Sequence, residues 1–170
     1  LCGDEDRLAS VFGWMSQEPF IRPASNEDSA GIIALIAACY SEYPPNVVLL
    51  VDEEEPELRT PASSFDGFWV LEAEGKVCGC VAATKTGETV ELKKMYLVKE
   101  LRGRLWAQKL QVIVVNFAKE KGCSLELWTD TRFHRAHAFY SKCGWQKTGE
   151  TRELHDFADT TEYRFILETE

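Results

Sequence analysis

The sequence predicts one mixed α/β domain, and three observations predict it. Residues 90–110, VELKKMYLVKELRGRLWAQKL, read as a strand, a short basic turn and the opening of an amphipathic helix. A further apolar strand, Cys123–Thr129, follows that helix. A helical crossover between two strands of one sheet gives a parallel pair with a right-handed connection. Ahead of them, Phe68–Glu72 and Lys76–Thr84 flank the turn dipeptide Glu74-Gly75, which reads as an antiparallel hairpin.

The bulk properties bound the answer. A chain of 170 residues suits one domain with a full core. We expect a single domain over 19–170. Over 1–18, the helical spacing of Leu8, Val11, Phe12 and Met15 predicts a short helix or a leader. Hydrophobic residues are 45% and charged residues 28%, the composition of a globular, soluble chain. No apolar run approaches the roughly 20 residues of a membrane helix, and nothing reads as a signal peptide, so no membrane partner is expected. The formal charge of −9 argues against a nucleic-acid partner, because phosphate contact wants a basic surface, and it suits an amine substrate. Of the six cysteines, all but Cys2 sit among apolar residues, and no C-x-x-C pair occurs. They read as reduced core thiols in a cytoplasmic setting, and no metal is expected.

In chain order, Phe20–Pro23 is a candidate first strand. Ser25, with Asp28 three residues on, resembles a capping box for a helix from about Asn26 to Tyr43, which Pro44-Pro45 ends. Pro56 and Pro61 bracket a short helix beside an acidic cluster, Asp52–Glu57. Gly79 inside the second hairpin strand marks a bulge or a close backbone approach. In the strand Thr89–Val98, Val90 and Leu92 share a face, but Met95 and Leu97 carry the apolar character afterwards. The alternation slips by one residue, which is what a β-bulge does. A helix from about Leu105 to Lys121 carries Leu110, Ile113, Val114 and Phe117 on one stripe, with Gly122 as its stop. Arg132–Lys142 is a second helix, closed by Gly144. Trp145–Arg152 and Glu162–Glu168 are two last strands around the turn Asp156–Thr160.

The basic turn is a candidate anion site. The first N–H groups of a helix lack intrahelical partners, the dipole is positive there, and Arg102 and Arg104 add charge.

Two motifs carry a resemblance. Glu91-Leu92-Lys93-Lys94-Met95-Tyr96-Leu97 followed by Arg102-Gly103-Arg104-Leu105-Trp106-Ala107 resembles the strand and the [QR]-x-x-G-x-[GA] diphosphate motif of the GNAT family of acetyl-CoA-dependent N-acetyltransferases. Arg135-Ala136-His137-Ala138-Phe139-Tyr140, running on to Gly144-Trp145, resembles the family's RAxxFYxxxGF helix. The resemblance spans about Phe20 to Leu167. It implies the GNAT fold, with a mixed central sheet splayed at a bulge in strand 4 and helices on both faces. It implies acetyl-CoA as co-substrate and a primary amine as acceptor, joined by direct attack in a ternary complex.

Residue by residue, the resemblance implies pantetheine contacts from the Met95–Tyr96–Leu97 backbone and a diphosphate cradle over Arg102, Gly103, Arg104, Leu105, Trp106 and Ala107. His134 is expected on the coenzyme A side. Leu105 stands where the family has glycine, so its side chain has to point away from the diphosphate, and Trp106 reads as core packing. Tyr140 matches the family's general acid and Glu91 a catalytic base found in some members, with Glu88 and Glu126 as weaker candidates. A bulge N–H next to Met95 is the expected donor to the thioester carbonyl. Cys143 has no His–Asp pair with it, so a covalent route is not expected. A homodimer through the late strands, a catalytically inactive CoA-binding sensor or partner module, and an acyltransferase using a different acyl-CoA stay open.

Overall fold

The computed structural model describes residues 17–45 and 47–168. The short helix or leader expected over 1–18 lies outside them up to residue 16. The elements, in order, are β1 (Phe20–Pro23), α1 (Ser29–Tyr40), α2 (Val51–Glu54), α3 (Pro61–Ser64), β2 (Gly67–Ala73), β3 (Lys76–Thr86), β4 (Thr89–Leu97), α4 (Trp106–Lys121), β5 (Ser124–Asp130), α5 (His134–Lys142), β6 (Gln146–Glu153) and β7 (Thr161–Leu167). They form one seven-stranded sheet in the order β1-β2-β3-β4-β5-β7-β6. The β4–β5 pair is parallel and every other pair is antiparallel, so the sheet is mixed, as the crossover and hairpin signals predict.

Each face of the sheet carries its own core. On one side α1 buries Ile32, Leu35 and Ile36 against Val70, Cys80 and Ala82. On the other, α4 buries Trp106, Leu110 and Val114 against Leu71, Val81, Val90 and Leu92, and Tyr140 and Trp145 join that cluster from α5 and the start of β6.

Several boundaries differ from the sequence reading. The first helix opens as a 3-10 turn at Asn26–Asp28 and stops at Tyr40, three residues short of the expected Tyr43. Pro44 disfavours helical backbone at the residue before it, and the chain leaves through turn bonds, Glu42 N–H to Cys39 and Tyr43 N–H to Tyr40. The acidic cluster splits into α2 and a 3-10 turn, Pro56–Arg59, with Pro56 and Pro61 each at a helical start. Helix α4 begins at Trp106 and α5 at His134, one and two residues later than expected. Gly122 ends α4 in the left-handed region (φ 64°), and the Gly122 and Cys123 N–H groups bond the carbonyls of Lys119 and Ala118.

Two bulges set the shape near the centre. Beside Gly79, the register passes from Leu71↔Gly79 to Glu72↔Val77, so Cys78 is the extra residue. A Cβ at Gly79 would lie 2.9 Å from Leu97 Cδ1 and 3.2 Å from Leu71 Cβ, so the close approach is also present. In β4, the register passes from Ala82↔Lys93 to Cys80↔Tyr96, three steps on β4 against two on β3. Lys94 sits at the surplus position with φ 52°. The parity change is the one read from the sequence: Val90 and Leu92 before the bulge, and Met95 and Leu97 after it, all pack into the same core.

Candidate active site

The site is made where the sheet opens. Parallel pairing between β4 and β5 covers Thr89–Leu92 against Ser124–Leu127 and stops there. Beyond Leu92, the bulged half of β4 runs on toward Leu97 while β5 runs on to Asp130 paired only with β7. A cleft open to solvent lies along this divergence. Glu91, Met95, Trp128, Tyr140, Arg152 and Glu162 line it together.

Tyr140 enters from α5 and is 6% exposed. Its ring is held edge-on by Phe139 and Trp145 and tilted against Phe165. Burial pushes its phenol well above the usual range, because the phenolate would lose its hydration, so the group stays protonated at neutral pH.

Glu91 sits before the bulge and accepts a hydrogen bond from Arg152 Nη2 at 3.1 Å. The same guanidinium donates from Nε to Glu162 at 2.5 Å and lies 4.6 Å above the Trp128 ring. Arg152 and Glu162 are direct cross-strand partners on β6 and β7. Burial raises the Glu162 carboxyl above the usual carboxylate range, against the attraction of Arg152, and the nearby Glu91 charge adds to the rise. One guanidinium therefore serves two carboxylates.

Lys94, the surplus residue of the bulge, ion-pairs with Glu55 and lies 3.8 Å from Glu57, both on the segment after α2. Glu54 accepts the Phe157 N–H at 2.6 Å, so α2 is joined to the loop between β6 and β7 across the cleft rim. At the end of β5, Asp130 holds Arg132 through both carboxylate oxygens and accepts His137 Nε2 on its carbonyl at 2.9 Å.

The basic turn differs from a plain cluster of free positive charge. Arg102 donates to both oxygens of Glu42 at 2.7 Å and from Nε to the Leu97 carbonyl at 3.0 Å. Arg135, first residue of the second motif, reaches Glu42 as well, at 2.8 Å. These two arginines hold the Glu42 carboxyl down to about 2. Arg102 therefore brings its charge to the turn as part of an ion pair with Glu42. Gly103 takes φ 72°, a conformation that disfavours side chains, and opens the turn into α4.

Leu105 is the residue before α4 and is 67% exposed. Trp106 is buried in the core, as expected of it, under Lys109 Nζ at 4.2 Å from its ring. Ala107 packs partly against the same core. Met95 and Tyr96 both line the cleft, and the Tyr96 hydroxyl meets that of Tyr40 at 3.2 Å. His134 is exposed at the first position of α5. Glu88 is exposed at the turn before β4, and Glu126 pairs with Arg164, so neither joins Glu91 in the cleft lining. Cys143 is half-buried with a free thiol.

Sequence reasoning missed Glu42, Arg152, Glu162 and the Lys94–Glu55 pair. Arg152 and Glu162 carried a findable signal, since opposite charges facing each other in a hairpin stabilise the pair once its register is known. Glu42 and Glu55 reach their partners over 60 and 39 residues, and nothing local announces that.

A mixed sheet split at a bulged strand, with a glycine-opened turn leading into a helix on one side and a carboxylate-lined cleft on the other, defines an acyltransferase-type α/β protein. The chain matches the acetyltransferase (GNAT) family over residues 32–145 and belongs to that family. It is similar to the uncharacterized N-acetyltransferase YjgM of Escherichia coli (strain K12), 29% identical over 141 residues covering 76% of this chain and 83% of that one. Its fold matches an acetyltransferase of Streptococcus agalactiae 2603 with a TM-score of 0.74 at 21% identity, covering 89% of this chain and 99% of that one. It also matches yncA of Salmonella typhimurium, a putative acetyltransferase solved with its cofactor acetyl-CoA, with a TM-score of 0.67 at 15% identity, over 91% and 95% of the two chains.

Proposed function

We propose that the protein transfers an acetyl group from acetyl-CoA to a primary amine by direct attack. The observation that supports this best is the end of β4–β5 pairing at Leu92, one residue before the bulge segment, with Tyr140 and Glu91 facing the same opening. Backbone groups of β4 that lose their β5 partner are the kind of edge that binds an extended amide chain by strand addition, which suits the Met95–Leu97 segment to pantetheine. The N-terminus of α4, with its unpaired N–H groups and positive dipole end, suits a diphosphate over Arg102–Ala107. His134, exposed at the start of α5, is assigned to the coenzyme A side.

In this reading Glu91 takes a proton from the acceptor ammonium, directly or through water, and frees the nitrogen lone pair. The nitrogen forms a C–N bond to the thioester carbonyl carbon, and a backbone N–H beside Met95 donates to the oxygen as charge develops there. The C–S bond then breaks, and the Tyr140 hydroxyl gives its proton to the departing sulfur. The buried, protonated phenol supports that role. Balance requires Tyr140 to recover a proton from solvent or from the amine before the next turnover.

Acetyl-CoA should raise the melting temperature by mass action, and an amine panel should release free thiol. No melting shift at millimolar acetyl-CoA would end the co-substrate assignment.

A further inference from the structure

Resting on the acetyltransferase reading, we infer that the acceptor is an aliphatic amine bearing a second positive charge and no carboxylate. The side chains lining the cleft include six carboxylates against four cations. The arrangement matters more than the count, because most of the cations are already engaged by the protein itself. Lys94 pairs with Glu55 and has Glu57 nearby. Arg132 is gripped by Asp130 and also donates to Thr160 Oγ1 at 3.0 Å. Arg152 is shared between Glu91 and Glu162. Lys93 lies within electrostatic reach of Glu162. A substrate carboxylate would have to compete with an internal carboxylate for each of these cations, and would approach the Glu91–Glu162 pair against like charge.

A cation meets the opposite situation. At the strand wall, Glu91 and Glu162 share the Arg152 guanidinium, with Lys93 in electrostatic reach of Glu162, so an incoming ammonium meets carboxylate oxygens in a partly desolvated place. On the α2 segment, Glu54 and Glu55 add two more carboxylates to the lining, and Lys94 answers Glu55. Glu54 is held toward the β6–β7 loop by the Phe157 N–H, and Asp156 in that loop is bound to the Thr160 N–H at 2.7 Å. Carboxylates at two places in the cleft lining, Glu91 and Glu162 on the strands and Glu54 and Asp156 at the α2 and β6–β7 loop segments, fit two ammonium groups joined by a flexible apolar chain. Met95, Leu50 and Phe133, which line the same cleft, give that chain apolar surface.

The test compares three acceptors of similar length with the full protein at saturating acetyl-CoA: 1,4-diaminobutane, butylamine and 4-aminobutanoate, following thiol release. The expected kcat/KM for the diamine exceeds that for butylamine by about 10-fold and that for 4-aminobutanoate by about 100-fold, the scale set by one favourable and one repulsive charge. Glu54→Gln, which keeps an oxygen for the Phe157 N–H, should shrink the diamine-to-butylamine ratio several-fold. A preference for 4-aminobutanoate or aspartate, or equal use of diamine and butylamine, overturns the inference. Acetyl-CoA binding seen as a melting shift, with no thiol release on any of these amines, overturns it while leaving the co-substrate assignment standing. Absence of both shift and release removes the parent reading as well.

Discussion

Arg102 and Glu42 meet fork to fork, with both guanidinium–carboxylate contacts at 2.7 Å. The pair ties the chain just after α1 to the turn before α4, and Arg102 Nε fastens that turn to the Leu97 carbonyl at the end of β4. Glu42→Gln should therefore raise the KM for acetyl-CoA several-fold with a smaller effect on kcat, because it loosens a turn rather than removing a reacting group.

The same carboxylate gives a pH signature. Its folded pKa, about 2, lies below the ordinary 4.5, so its contribution is complete above the unfolded value and is lost as pH falls through the folded one. Wild type should exceed Glu42→Gln in stability by roughly 1 kcal/mol near pH 7, after solvent screening, and the gap should close between about pH 5 and pH 2. Urea unfolding of both proteins across that range measures it. A constant gap would mean that Glu42 acts through shape rather than charge.

Tyr140→Phe should lower kcat by about 100-fold or more if the phenol protonates the leaving sulfur. The ring contacts survive in the variant, so melting temperature should change little. Because the phenol's pKa is raised, Tyr140 should not contribute an alkaline loss of activity below about pH 10. Unchanged turnover in Tyr140→Phe at every pH would remove the general-acid role.

Trp145 Nε1 donates to Gln111 Oε1 at 2.7 Å between buried side chains, and this bond joins α4 to the start of β6 beneath Tyr140. Gln111→Leu strands the indole N–H and should cost about 1–3 kcal/mol, read as a lower urea midpoint with the slope unchanged.

Gly79→Val should cost on the order of 2 kcal/mol, since even a Cβ there comes within 2.9 Å of Leu97 and 3.2 Å of Leu71. Because Leu97 is displaced, the variant should also lose affinity for acetyl-CoA, measurable as a smaller melting shift at a fixed concentration.

Much of this architecture is legible in the chain because its signals are local. The slip from Val90 and Leu92 to Met95 and Leu97 identifies a bulge from the residue pattern alone, and both pairs reach one core. Glu74-Gly75 carries the positive φ values, 51° and 73°, that a tight hairpin needs. Gly122 marks the end of α4 for a similar reason. The electrostatics of the site are less legible. Whether Arg102 is free depends on Glu42, and whether Lys94 faces solvent depends on Glu55. Such partners are fixed by tertiary packing, which spacing along the chain does not encode. The surplus position in β4 is evident from the pattern, whereas its identity as the left-handed Lys94 needs the register.

The short β4–β5 seam has a mechanical meaning. Four residue pairs, Thr89–Leu92 with Ser124–Leu127, are the strand-to-strand connection between a four-stranded half and a three-stranded half of the sheet. Past Leu92 and Leu127 the two halves flank the cleft with no β4–β5 backbone pairing between them. A molecule lodged in the gap would bear on both halves at once and work as a staple. Amide exchange should then slow on β4 and β5 together when acetyl-CoA is added, including at positions that do not touch it.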